Sequence, residues 1–173
     1  VKLNLNLRCA SQVLFSLKEF MANNATDVYN NLLEYEWENI IPVNGYFSIS
    51  SNVSNDTITN NLFANVKVKD AIADRFRNKT GERPDSGSEL NGIVIHLYWK
   101  DDIAEVFFDT TGETLSKHGY RKIPGKAPML ESLAAATILA GKWDRRSPFI
   151  NPMCGSGTLA IEAAMIATNR RPG

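Results

Sequence analysis

Cysteine is scarce in this chain: of 173 residues only Cys9 and Cys154 carry a thiol, far apart and without C-x-x-C spacing. Neither a disulfide framework nor a metal site is indicated, and a reducing compartment suits such usage. Long apolar runs are missing too. None approaches the roughly 20 residues needed to span a bilayer, so no membrane association is expected. The chain opens at Val1 with no charged-then-apolar leader, and a cytoplasmic location is the expectation. Net charge is zero, with 19 basic and 19 acidic side chains, so there is no general attraction for polyanions. The hydrophobic share of 43% is ordinary for a globular protein, and the length suffices for the core of one or two domains. No internal repeat or low-complexity tract is visible.

The balanced total hides a segregation. Residues 66–83 carry six basic against three acidic side chains and residues 116–126 four against none, whereas residues 84–115 hold one basic and seven acidic. Phosphate contacts follow local potential, so clusters can serve where net charge does not. Lys67, Lys69, Arg75, Arg77 and Lys79 do not converge on one helical stripe, however, and the i,i+3 pairs Lys67/Asp70 and Asp74/Arg77 would satisfy some of them locally. A helical charge run of this kind is more often a solvated face than a phosphate site.

Periodicity organises the rest. Residues 23–33 read as a helix with Asp27 near its start, residues 46–53 as a strand, and Val68, Ile72 and Phe76 set an amphipathic helix over 66–78. Gly81 and Pro84 end it, and residues 84–92 read as a polar loop. Two apolar runs, 93–99 and 103–108, flank Lys100-Asp101-Asp102 as a hairpin. His96 within the first is expected to be a satisfied, half-buried histidine, and Trp37, Trp99 and Trp143 to be core or junction residues. A break is expected at Ile123-Pro124-Gly125; beyond it Pro128 opens a helix that Gly141 closes.

The most informative stretch is Asn151-Pro152-Met153-Cys154-Gly155-Ser156-Gly157-Thr158. It lies between the strand-like residues 148–150 and a helical segment, 159–167, that is apolar nearly all round except Glu162, the pattern of a buried helix. Gly155 and Gly157 allow a tight turn and close approach of a ligand to the main chain. Free N–H groups at the start of the helix then face the ligand. A triphosphate loop would need lysine after Gly157, where Thr158 stands, and the third glycine of a dinucleotide fingerprint is replaced by Ala160. A doubly wound nucleotide-type fold with another ligand remains.

This octapeptide, followed by Leu159-Ala160-Ile161-Glu162-Ala163-Ala164, resembles motif I of S-adenosylmethionine-dependent methyltransferases, in the form found in THUMP-containing RNA methyltransferases. Segments 7–14, 67–76, 109–113 and His118-Gly119-Tyr120-Arg121 are similar to the bacterial large-subunit rRNA guanine-N2 methyltransferase family. The resemblance implies an α+β THUMP-type region, 1–122 and N-terminally incomplete. It is followed over 123–173 by the first helix-strand-helix of an α/β Rossmann-like methyltransferase domain, truncated after motif I and its helix. It implies S-adenosylmethionine as cofactor on residues 151–158, RNA, specifically rRNA, as partner, and the remainder of a catalytic domain. It also implies RNA contacts at Lys117, His118, Tyr120, Arg121 and Lys122, with Lys67, Arg75 and Lys79 as weaker candidates. Asn151 replaces the family's usual aspartate, which matters if that position bonds the cofactor's ammonium and little if it works through its backbone. The family's Asn/Asp-Pro-Pro-Tyr/Phe motif lies downstream of motif I, and no Pro-Pro dipeptide occurs here, so no catalytic residue is expected within these 173.

Three readings stay open at this level: a guanine-modifying rRNA methyltransferase, an adenine-N6 DNA or RNA methyltransferase, and a non-enzymatic RNA-binding module whose glycine turn only starts a helix. Cys154 as a nucleophile is disfavoured by its place inside the turn.

Overall fold

The computed structural model describes residues 1–58, 60–122 and 127–172. They form two compact units, one of Leu14–Gly112 and one of Val1–Val13 with Glu113–Gly173. In chain order the elements are α1 (Lys2–Asn6), β1 (Leu14–Met21), α2 (Ala25–Leu33), a 3-10 turn (Trp37–Asn39), β2 (Tyr46–Ser54) and α3 (Asn61–Thr80), then β3 (Asp85–Gly87), β4 (Ile93–Lys100), β5 (Ile103–Asp109), α4 (Glu131–Ala140) and α5 (Thr158–Ala167).

The Leu14–Gly112 unit is a five-stranded sheet in the order β1-β5-β4-β2-β3 covered by α2 and α3. β5 is antiparallel to β1 and β4, and β2 is parallel to β4 and β3. Parallel neighbours need a crossover, which α3 supplies after β2. The period of two is plain in β4, where Ile95, Leu97 and Trp99 are fully buried and Tyr98 is exposed. His96 alternates with them and meets its register partner Ser50, whose Oγ lies 2.7 Å from Nδ1. Burial lowers its ionisation, and it is the satisfied half-buried histidine the sequence suggests.

The helices fill the core through residues spaced three and four apart: Ala64, Val68, Ala71, Ile72 and Phe76 of α3 pack with Val28 and Leu32 of α2. Trp37 and Trp99 sit fully inside, and their indole N–H groups donate to the carbonyls of Leu32 at 2.7 Å and Ala22 at 3.0 Å. α3 begins five residues before the amphipathic period does, because Asn60 Oδ1 accepts from Leu62 N and caps the first turn. The expected polar loop 84–92 contains β3, a three-residue edge parallel to β2. A strand that short shows no hydrophobic period.

In the second unit the Ser11 carbonyl accepts from Leu115 N at 3.0 Å and from Thr114 Oγ1 at 3.2 Å. These bonds join residues before β1 to residues after β5. The compact units are therefore not the sequence ranges 1–122 and 123–173, whose boundary at Ile123-Pro124-Gly125 lies outside the described residues. α4 starts at Glu131, three residues past Pro128, and Gly141 caps its end. Ile138 of α4 packs with Ala163 and Ile166 of α5, flanked by Trp143 and Leu159. Two expectations are corrected. Residues 148–150 are no strand: they pair with no described strand, and Ile150 is 82% exposed. Apolar composition gives propensity, but a strand exists only through a ladder. Nor is α5 buried all round, since Ala160, Ile161 and Ala164 are exposed while the one charged residue, Glu162, is fully buried.

No described helix is long and apolar enough to cross a membrane, and no group of three or more acidic, histidine or cysteine side chains among the described residues could hold a metal.

Candidate cofactor turn and candidate RNA contacts

Residues 151–158 form a tight turn into α5. Gly157 N donates to the Cys154 carbonyl at 2.7 Å, and the Gly157 carbonyl accepts from Ile161 N at 2.9 Å as the helix begins. Gly155 and Gly157 have φ of +52° and +81°. Glycine is favoured there by the left-handed backbone. A Cβ at either position would meet no atom of the described residues within 4 Å, so the space beyond both glycines is open to a ligand. Gly157, as the cap of α5, offers no side-chain acceptor to the first turn of this ten-residue helix. Those N–H groups carry partial positive charge suited to an oxygen-bearing ligand.

Asn151 Nδ2 is buried without a hydrogen-bond partner among the described residues. An orphaned buried donor costs about 1–3 kcal/mol, which an oxygen acceptor in the turn would relieve. S-Adenosylmethionine carries such oxygens on its carboxylate and ribose, and the open glycine face, the uncapped helix start and the orphaned amide fit it. Met153 and Cys154 are exposed, and the Cys154 Sγ lies 3.7 Å from the Gly155 carbonyl.

Behind the turn lies a polar layer that the sequence did not reveal. Arg121 Nη2 donates to Thr158 Oγ1 at 2.8 Å and to the Met129 carbonyl at 2.9 Å, and Nη1 lies 3.6 Å from the buried Glu131 carboxylate. His118 Nδ1 meets Glu162 Oε1 at 2.7 Å, and Nε2 meets the Arg8 carbonyl at 3.2 Å. That carbonyl can only accept, so Nε2 is protonated, and the Nδ1–Oε1 contact holds one further proton between its two groups. The side chains of this pair are 2% and 0% exposed. Burial first, then the nearby Glu162 carboxylate, push the Tyr120 phenol well above its ordinary range, although Tyr120 Oη and Glu162 Oε2 reach good hydrogen-bond geometry with no described group. Arg8 also donates from Nη2 to the Arg170 carbonyl. A groove of about 630 Å³, lined by Tyr120, Ile161, Met165, Arg170 and Arg171 among others, runs beside α5 and does not include the turn residues. One sequence signal could have exposed this layer: a lone glutamate in an otherwise apolar helix is rarely buried unless paired.

Placement changes how the basic candidates can act. Lys117 and Lys122 are exposed. His118 and Arg121, expected as RNA contacts, are both engaged within the protein: the first is buried on Glu162 and the second is held by Thr158, Met129 and Glu131. Tyr120 is half-buried. In the sheet unit, Arg75 bonds Glu38 at 2.8 Å, Lys79 bonds the same carboxylate, and the Lys67 ammonium lies 5.7 Å from the Phe63 ring centre.

The model of the THUMP domain matches residues 22–109, and that of the RMKL-like methyltransferase domain matches residues 118–173. The ribosomal RNA large subunit methyltransferase K/L of Buchnera aphidicola subsp. Schizaphis graminum is 39% identical over 166 residues, which are 96% of this chain and 24% of that relative. The chain thus spans about a quarter of that relative's length. Among solved structures, a predicted N6-adenine-specific DNA methylase from Listeria monocytogenes str. 4b F2365 superposes with a TM-score of 0.85 at 32% identity, over 98% of this chain and 45% of that one. SMU.472, crystallised as a complex with SAH, superposes with a TM-score of 0.80 at 35% identity, over 98% and 45%.

Proposed function

From a chain that belongs to the THUMP domain family and runs on into an RMKL-like methyltransferase segment, we propose that it supplies the RNA-binding region and first cofactor turn of a S-adenosylmethionine-dependent rRNA methyltransferase acting on a guanine exocyclic amine. The observation that carries this reading is the turn itself: two left-handed glycines facing open space, before an uncapped helix start and beside the orphaned Asn151 amide. Bound there, the cofactor supplies an electrophilic methyl on sulfonium. The chain's part is to bind and orient. Gly155 and Gly157 admit the ligand to the backbone, the first N–H groups of α5 meet its oxygens, and Asn151 Nδ2 donates to one of them. An amide at residue 151 carries both a donor and an acceptor, so Nδ2 can give to a ligand oxygen while Oδ1 can still take from an ammonium, without the charge an aspartate would bring. The remaining residues of the fold, which would hold the base, belong outside this segment, and the exposed apolar Leu130, Leu133 and Ile150 offer surface for them.

Isothermal titration of the full-length protein with S-adenosylhomocysteine tests the site. Gly157→Val puts a branched side chain at φ +81° in the ligand's approach and should weaken binding at least tenfold. Unchanged affinity overturns the reading. Nucleoside analysis of rRNA methylated by the full-length protein decides the base: N2-methylguanosine is expected, and N6-methyladenosine would favour the adenine-modifying alternative.

A further inference from the structure

Thr158, the first residue of α5, follows directly on Gly157. Its Oγ1 accepts from the Arg121 guanidinium at 2.8 Å and lies 3.3 Å from Ser156 Oγ. A guanidinium only donates, so one lone pair of Thr158 Oγ1 is committed to Arg121 while its proton stays available for Ser156. The cation polarises Thr158 into a better donor in that direction, since linked hydrogen bonds strengthen one another. Either hydroxyl can donate across this contact; with Thr158 as the donor, Ser156 Oγ accepts and its own proton is left for an acceptor on the exposed side of the turn.

Resting on the cofactor reading above, we propose that Arg121 is a positioning residue of the cofactor turn: acting through Thr158, it sets the hydroxyl chain so that Ser156 donates to an oxygen of the ligand. Arg121 can hold that direction because it is itself held. Its second bond goes to the Met129 carbonyl, its charge faces Glu131, and its side chain is only 16% exposed. Three residues earlier, His118 grips Glu162, which is four residues beyond Thr158 and so on the same face of α5. One short stretch of chain therefore fixes the start of α5 at two successive turns.

The test is a set of double-mutant cycles in the full-length protein, read by titration with S-adenosylhomocysteine. Arg121→Met, Thr158→Val and Ser156→Ala should each raise Kd about tenfold, the order expected for one charge-assisted hydrogen bond. Any two together should do no more than one alone, because all three interrupt the same chain. Arg121→Lys, which keeps a cation and a donor, should recover most of the affinity. Additive losses, or single variants with the parent's affinity, overturn the proposal. A parent that does not bind the ligand overturns the cofactor reading beneath it instead. If Arg121→Met fails to fold because Glu131 is left unpaired, Arg121→Met/Glu131→Gln removes that charge, and its cycle with Ser156→Ala, measured against Glu131→Gln, decides the matter.

Discussion

Glu38, a single carboxylate just after the 3-10 helical start at Trp37, serves two cations of α3. Hydrogen bonding from Arg75, helped by Lys79 and opposed by burial, lowers its pKa from 4.5 to about 2. A carboxyl lowered in the folded state contributes stability that is fully present above its unfolded value and is lost as pH falls through the folded one. The loss therefore runs from about pH 4.5 down to about pH 2. The pair is partly screened, so the contribution is about 1–2 kcal/mol. Thermal unfolding between pH 6 and pH 3 should show Glu38→Gln less stable than the parent at pH 6 and the difference clearly smaller at pH 3, closing only near pH 2. Equal differences at both values would remove this carboxylate as the source. The sequence offered Arg75 and Lys79 to phosphate, and it could not show that Glu38, 37 and 41 residues away, reaches them.

At the scale of elements, local chemistry decides the ends and packing decides the faces. α2 starts where it does because Asn24 Oδ1 accepts from Thr26 N at 2.9 Å and Asp27 N at 3.0 Å. Asn24→Ala should cost about 1 kcal/mol in chemical denaturation, whereas Asn24→Asp, which keeps the acceptor, should cost little. A loss equal in both variants would mean the cap is not the cause. The extents of β2, β4, β5 and α2 were legible because each carries a clear period or an end signal within its own residues. α5 shows the opposite case. An apolar sequence told of burial but not of which face, and only the His118 contact explains why its single charge points inward while Ile161 is exposed.

For the whole molecule, the expected partner is RNA, and the structure narrows which cations can meet it. Lys117 and Lys122 are exposed, and the described contacts assign them no anionic partner. Replacing both by alanine should weaken binding to structured rRNA and flatten the log–log salt dependence by roughly 1.4 to 1.8, about 0.7 to 0.9 for each phosphate contact. Stability should change by no more than about 0.5 kcal/mol, as for other exposed substitutions. Identical affinity and slope in parent and double variant would place the RNA elsewhere.

The sequence by itself determined what short-range rules can carry: β2, β4, β5, α2 and α3 of the Leu14–Gly112 unit, though not β1, the hairpin at Lys100-Asp101-Asp102, and the glycine turn, whose two left-handed residues are set within eight positions. Tertiary structure alone decided β3, the absence of a ladder at 148–150, and the fate of the basic residues around 118–121. A three-residue edge, a strand without a neighbour and a cation without a visible acceptor all depend on partners distant in the chain. For Arg121 that partner is Thr158, 37 residues on, and for His118 it is Glu162, 44 residues on. Composition marks these groups as basic, but only the packed helix start shows which of them face inward to the turn.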